Sequence, residues 1–369
     1  MKTQASIVLV FSALLLFSIG LLMVFNTSSA EILDRSLDAN LYTALYKQLA
    51  YGCVGIVLGF IGYGIGYERL LRWSLPLLGV ATVLLAALFV PGIAQTINGA
   101  RRWLSIFGFS FQPSEAVKIL IPAVFIQWFL KLGCIDFISF SKILGLIAIP
   151  AGLILMEPDN GTVAILISLM VVLFWLANIR WRYWAIPLLS LIAIGGAAAF
   201  KMPHVPDRIR IYLHPELDLR GKGHQPHQAK IAAGSGGLFG RGLGESLQKL
   251  NYLPEARSDY IAAIYAEEIG FLGMVLLIGL YAAFAYAGFS IAFKAREKGA
   301  FLLAAVLTFL IAIQAFLNLG IVSGLLPSKG MTLPFFSQGG SSLMVNVIIV
   351  FLLLDISRKS IVIVKKRRV

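Results

Sequence analysis

Charged residues of the kinds used in acid-base and anion chemistry stand at breaks in an otherwise apolar chain. Arg101 and Arg102 are adjacent and lie just before "QPSEAVKIL", in which Glu115 and Lys118 are three apart and share a helix face. Guanidinium groups grip phosphate oxygens two at a time, so this group points to an anionic ligand. An ion pair that only holds helices together is the competing reading for Glu115 and Lys118. "MEPDNGTVAIL" sets Glu157 and Asp159 in a tight turn, where Asp159 can equally cap the next helix. "LLPSKGMTLPFFSQGGSSLMVN" interrupts the apolar pattern with Pro, Gly and Ser, as irregular backbone does where it lines a cavity. A plain connecting loop has the same composition.

The stretch "RSDYIAAIYAEEIGFLG" puts Asp259 at a helix mouth and Glu267 and Glu268 two turns further in. Carboxylates are costly at membrane depth, so three of them need a reason. Helical geometry sets Asp259 and Glu267 about 80° apart around the axis and about 12 Å along it, with Glu268 on the opposite side. The paired carboxylates of a glycosidase stand roughly 5 to 9.5 Å apart. Asp259 is therefore expected to act alone, with Glu267 and Glu268 in packing or a polar network.

Two further features carry less chemistry. The glycine-dense "GSGGLFGRGLGESLQKL" reads as a flexible surface loop, because no strand and helix flank it as a dinucleotide fold requires. His224 and His227 have the spacing of a metal pair, but Pro226 between them argues against a regular helix and no Cys accompanies them, so zinc is not expected.

The chain that must position these groups has 369 residues, 59% of them hydrophobic and 13% charged, with a mean hydropathy of +0.85. That composition is an integral membrane protein's. Apolar runs recur at 6–26, 44–67, 74–92, 114–131, 142–156, 161–178, 183–200, 260–292, 299–323 and 341–356, which predicts an all-α polytopic fold of about ten transmembrane helices. The first run is long and lacks a small-residue cleavage site, so it reads as a retained helix.

The net charge of +13 orients the chain without requiring nucleic acid as a partner. Arg69, Arg72, Lys131, Lys142, Arg180, Arg182, Lys294, Arg296, Lys298 and the tail "KKRRV" fall on alternate connections, which puts both termini in the cytoplasm. The tail can also touch anionic lipid. The remaining connections lie outside, and 201–259 is the one large extracytoplasmic loop, holding all four histidines. Cys53 and Cys134 imply no disulfide framework.

In this order the motifs resemble those of the SEDS proteins (shape, elongation, division and sporulation), the polytopic peptidoglycan polymerases that include FtsW and RodA. "NGARRWL", "QPSEAVKI", "EPDNGT", "GSGGLFGRGLGESLQKLNYLPEARSDY" and "LPSKGMTLPFFSQGGSS" carry the resemblance, which makes 1–369 a single SEDS-type transmembrane domain. "GESLQKLNYLPEA" and "LPSKGMTLP" look more like the FtsW, cell-division branch.

The resemblance implies an inverting glycosyltransferase of the bacterial cytoplasmic membrane. It would polymerise lipid II, a disaccharide-pentapeptide on undecaprenyl diphosphate, at the outer face for cell division or cell shape. It further implies Asp259 as the catalytic residue, with Arg101, Arg102 and Lys118 on the substrate diphosphate. Glu115 and Asp159 are then supporting residues, Glu115 a candidate ligand for Mg2+ or Mn2+, and Ser337, Gly339, Gly340 and Ser341 form a substrate-groove loop. A class B penicillin-binding protein is the implied partner, supplying the transpeptidase. The chain departs from the family at "RSDY", commonly "HTDF", and at "SQGGSS", usually "SYGGSS". Arg257 and Gln338 thus put substrate contacts and pH response near Asp259 in question. A lipid II flippase and a non-catalytic division scaffold are the rival roles. A flippase should work with Asp259 neutral, and a scaffold should tolerate loss of Asp259, Arg101 and Arg102 together.

Overall fold

Within a bilayer no water is available to backbone groups, so each apolar run must satisfy its own hydrogen bonds and does so as a helix. The computed structural model describes residues 4–35, 41–92, 94–97, 100–106, 109–133, 135–200, 212–214, 218, 221, 223–250, 253, 255–327 and 329–366. Its helices are α1 Gln4–Arg35, α2 Thr43–Ile65, α3 Tyr67–Ala87, α4 Pro113–Leu132, α5 Phe137–Met156, α6 Asn160–Leu176, α7 Trp181–Phe200, α8 His224–Ser235, α9 Ile261–Lys294, α10 Lys298–Val322 and α11 Gly340–Lys366. Seven of these are long and apolar enough to cross a membrane, namely α2, α3, α5, α9, α10 and the apolar parts of α1 and α11. Large apolar side chains such as Val57 and Phe60 of α2 and Phe271 and Ile278 of α9 face outward, where lipid can cover them.

The pairs α2 with α11, α1 with α9, α9 with α10 and α3 with α4 make the main helix contacts. α4 is buried on nearly every side, since it also packs on α6 and α10. It is apolar all round apart from Ser114, Glu115, Lys118, Gln127 and Lys131, as a central helix should be.

Three features correct the sequence reading. The fold is not purely helical: β1 Ala94–Ile97, β2 Ala100–Ile106 and β3 Phe109–Phe111 form an antiparallel sheet in the order β1-β2-β3. Asn98-Gly99 between Ile97 and Ala100 is the short-range hairpin signal that announces it. Next, a helix does begin at His224. Pro226 sits in the first turn of α8, where its missing N–H would have had no intrahelical partner. His204 and Cys134 lie outside the described residues, as does much of 201–223.

The third correction concerns the glycine-dense run, which is ordered. α9 is broken at Gly270, whose φ of 78° interrupts its hydrogen-bond ladder. Residues 237–242 repair the break as an added strand of backbone would. Arg241 N–H donates to the Glu267 carbonyl and Gly242 N–H to that of Glu268, both at 3.0 Å. In return Phe271 N–H donates to Gly237 O at 2.9 Å and Leu272 N–H to Leu238 O at 3.2 Å. Backbones this close leave no room for a Cβ at Gly236 or Gly240, where it would strike the carbonyls of Ala266 and Glu268. Glycine serves close approach here, not flexibility and not a phosphate.

The same segment accounts for the two inner carboxylates. Glu267 accepts from Ser246 Oγ at 2.5 Å and from the Leu247 and Gln248 amides at 3.2 and 3.4 Å. Glu268 pairs with the buried Lys249 Nζ at 2.8 Å and accepts from Asn26 of α1 at 2.5 Å. Lys249 also donates to Asn26 Oδ1 and to the Gly244 carbonyl. A buried charge paired and hydrogen-bonded in this way is tolerated, whereas a lone one is not. Glu267 and Glu268 therefore pin 244–249 between α1 and α9.

Candidate active site

Arg102 owes its direction to an irregularity in the sheet. Thr96 pairs with Arg101 and Gln95 with Trp103, so Arg102 is the extra residue of a β-bulge. Bulges re-aim side chains. Its Nε donates to the Glu157 carbonyl at 3.0 Å and an Nη to that of Pro158 at 2.7 Å, and its guanidinium stands 3.9 Å from Asp159. Arg101 is exposed and does not line the cavity described below.

Pro113 opens α4, its missing N–H being harmless at the first helical position. One turn in, Lys118 Nζ meets Glu115 at 2.7 Å, with both residues buried. Asp159 caps α6 through the amide and hydroxyl of Thr162, at 3.2 and 2.8 Å, and accepts from Gln112 at 3.3 Å. The capping reading of Asp159 thus holds alongside its place on the cavity. Glu157 is buried, and among the described residues its carboxyl has no hydrogen-bond partner. Burial, aided by the charge of Asp159 and opposed by that of Arg102, pushes that carboxyl up to about 8.

Asp259 stands in the turn that leads into α9. Its amide and those of Ser258 and Tyr260 converge on the Glu255 carbonyl. Two cross-links hold the turn against the 329–339 segment. Asn318 of α10 donates through Nδ2 to the carbonyls of Asp259 and Met331, at 2.9 and 2.7 Å. The Gln338 amide donates to the Arg257 carbonyl at 3.0 Å. The two positions that depart from the family pattern are thus bonded to each other. A Cβ on Gly330 would come within 2.8 Å of Asp259 Oδ2, so a glycine there leaves the carboxylate its place. Among the described residues no hydrogen bond or ion pair engages the carboxylate oxygens of Asp259, which face open space. Burial, aided by the charge of Glu255 and opposed by that of Arg102, pushes this carboxyl up to about 7.

These groups line one cavity of about 660 Å³. Of the residues singled out from sequence, Asp259, Arg102, Lys118, Glu115, Asp159, Gly339, Gly340 and Ser341 all border it, as do Arg257 and Gln338. Ser337 does not. It is buried beneath, where its hydroxyl accepts from Leu333 N–H and its carbonyl from Gln48, so it shapes the turn. Ser341 ties the groups together, accepting from Gln112 N–H at 2.8 Å and donating to the Ser110 carbonyl.

Sequence reasoning passed over Lys47 and Tyr51 of α2, Gln314 of α10 and Thr332, which also border the cavity. The signal for them was a polar side chain inside an apolar run, as with Gln314 and Asn318 one helical turn apart. Glu115 and Asp159 do not fit a divalent cation. Lys118 already neutralises Glu115, Asp159 is spent on its cap, and among the described residues no three carboxylate, histidine or cysteine side chains converge.

The chain matches the family model described as "Cell cycle protein" over residues 6–361. It is 36% identical to the probable peptidoglycan glycosyltransferase FtsW of Trichlorobacter lovleyi over 96% of this chain and 93% of that protein. Stage V sporulation protein E of Bacillus subtilis is also 36% identical, over 97% of this chain and 98% of its own length. Among solved structures, a chain of a peptidoglycan synthase complex, described as coordinating polymerization and crosslinking, superposes with a TM-score of 0.77 at 25% identity, covering 95% of this chain and 97% of that one. The Rod shape determining protein RodA of Thermus thermophilus superposes with a TM-score of 0.68 at 26% identity over 95% and 96% of the two chains.

Proposed function

The chain belongs to the cell cycle protein family of FtsW, RodA and SpoVE, and from that premise we propose how its cavity carries out glycosyl transfer. It is a multi-pass membrane protein and a peptidoglycan glycosyltransferase of this family. The substrate in this reading is lipid II, polymerised at the outer face of the bacterial cytoplasmic membrane by ten membrane helices with both termini inside. Positive groups on alternate connections support that orientation, because the cavity and residues such as Arg72, Lys298 and Lys359 lie at opposite ends of the helices.

One observation carries the assignment. Asp259, with its carboxylate open, shares a cavity with Arg102 and Lys118. The 4-hydroxyl of the acceptor sugar attacks the donor's anomeric carbon while Asp259 takes the hydroxyl proton. The new bond forms from the acceptor oxygen to that carbon, the bond from that carbon to the diphosphate oxygen breaks, and undecaprenyl diphosphate departs. It is a good leaving group without protonation, so no second acid is required. Arg102 and Lys118 are held in place beforehand by Glu157, Pro158 and Glu115, and they stabilise the charge that develops on the diphosphate. A single displacement inverts the anomeric centre. A class B penicillin-binding protein supplies the crosslinking partner in this reading.

The test gives purified protein lipid II, with and without the transpeptidase partner and with and without Mg2+ or Mn2+, and measures glycan. The expected result is glycan strands from wild type. No glycan in any arm, with fluorescent lipid II crossing proteoliposomes equally well in wild type and Asp259→Asn, would instead establish a flippase.

A further inference from the structure

Gln314 makes no hydrogen bond to another of the described residues, and its amide opens onto the cavity. It lies within "LTFLIAIQAFLNLG" of α10, is 3% exposed, and borders the cavity. The other two buried glutamines are satisfied. Gln48 donates to the Ser337 carbonyl at 3.1 Å, and Gln127 donates to Arg72 O at 2.9 Å and accepts from Ser74 at 3.4 Å. The Gln314 amide opens onto the cavity from an otherwise apolar stretch of α10, and a polar group kept there is explained by a group that enters the cavity.

Its position narrows the choice. Asn318, on the same face of α10, fixes the backbone of Asp259, and Gln314 lies four residues back along the helix, about 6 Å deeper. The group it meets is therefore within a sugar ring's breadth of the atoms that Asp259 serves. The side chain carries no charge, and the cations of the cavity already answer the diphosphate. A primary amide offers donors and an acceptor in one plane, and another amide matches both. The substrate has amides in two places, on its amino sugars and in its peptide. The acetamido group next to the anomeric carbon is the one nearest the reacting bond.

Resting on the glycosyltransferase reading above, we infer that Gln314 recognises the 2-acetamido group of the substrate's amino sugar. Gln314 is a substrate-binding and specificity-determining residue, and it makes the floor of the cavity selective for N-acetylated sugars.

The test is equilibrium binding to the solubilised full-length protein, comparing wild type with Gln314→Met. The ligands are lipid II, an analogue with a hydroxyl replacing the acetamido group beside the anomeric carbon, and an analogue lacking the pentapeptide. Wild type should bind the hydroxyl analogue about tenfold more weakly than lipid II, and Gln314→Met should bind the two alike, with its unfolding temperature unchanged. Both proteins should treat the peptide-free analogue the same way. Equal affinity of wild type for lipid II and the hydroxyl analogue overturns the inference, as does a variant that keeps the full discrimination. A variant that changes only the response to the peptide-free analogue overturns it too, by giving Gln314 to the peptide. Binding needs no turnover, so a failure to make glycan, which would defeat the glycosyltransferase reading, leaves this result readable.

Discussion

Asp259→Asn should lower glycan synthesis by about 10²- to 10⁴-fold, the range spanned by a positioned general base, while lipid II still binds. The amide keeps the shape of the side chain and cannot take the acceptor's proton. Folding stability should move the other way. The folded protein holds the Asp259 carboxyl at about 7, against an ordinary value of 3.8, so between those values it binds a proton that the unfolded chain does not. Stability from that proton is present at low pH and is lost as pH rises toward 7. Asparagine is neutral throughout. The variant should therefore unfold at a higher temperature than wild type at pH 8, with the gap narrowing by pH 5, as thermal unfolding in detergent can show. Loss of activity together with a lower unfolding temperature would mean that the substitution damages the fold and that the base assignment is unsupported.

The second large effect is expected far from any reacting atom. Gly240→Val should cost about 3 kcal/mol or more, from strain at a φ of 80° and from hydrogen bonds lost where the chain repairs α9. Its side chain would drive into the Glu268 carbonyl and push 237–242 off the break at Gly270. The carbonyls of Glu267 and Glu268 would then lose their donors inside the bundle, and the clamp of Lys249 on Glu268 would loosen. Gly234→Ala is the control, since a Cβ there meets nothing within 4 Å and the residue lies within α8. Thermal unfolding of the two variants separates the cases. The control should match wild type, and Gly240→Val should unfold at markedly lower temperature with reduced yield.

The residues that bear charge were readable from sequence because charge inside an apolar chain is conspicuous. Asp259 at a helix mouth, Lys118 one turn into α4 and Asp159 before α6 each announced themselves by breaking the pattern, and spacing alone separated Asp259 from Glu267. What decides between neighbours was not readable. Arg101 and Arg102 are chemically identical, and only the bulge opposite Gln95 and Thr96 sends Arg102 to the cavity. The glycines of 236–242 fit a loose loop as well as a tight backbone contact, because what they make room for lies about 30 residues away in α9. The strands β1 to β3 are short and lie between two apolar runs, where hydropathy alone carries no strand signal and the Asn98-Gly99 pair is the one local cue to a hairpin. Gln314 looked like one polar residue in an apolar helix, and its meaning depends on the absence of a partner, which only packing reveals.

Arg257 and Gln338 illustrate a middle case. Each was visible as a departure from the family pattern, and the structure joins them through the Gln338 amide and the Arg257 carbonyl beside Asp259. Because that bond is between backbone groups, it does not depend on which side chains occupy the two positions. The turn that carries Asp259 is thereby kept while the cavity wall on either side of it varies.

The central claim is that the open carboxylate of Asp259 accepts the proton in the bond-forming step. The measurement that tests it most directly is the pH dependence of kcat/KM for lipid II polymerisation between pH 5 and 9. Activity should rise about tenfold per pH unit below pH 7 and level off above it, following ionisation of a carboxyl raised to about 7. A rate that stays flat across that range, or that falls as pH rises from 5 to 7, would contradict the account.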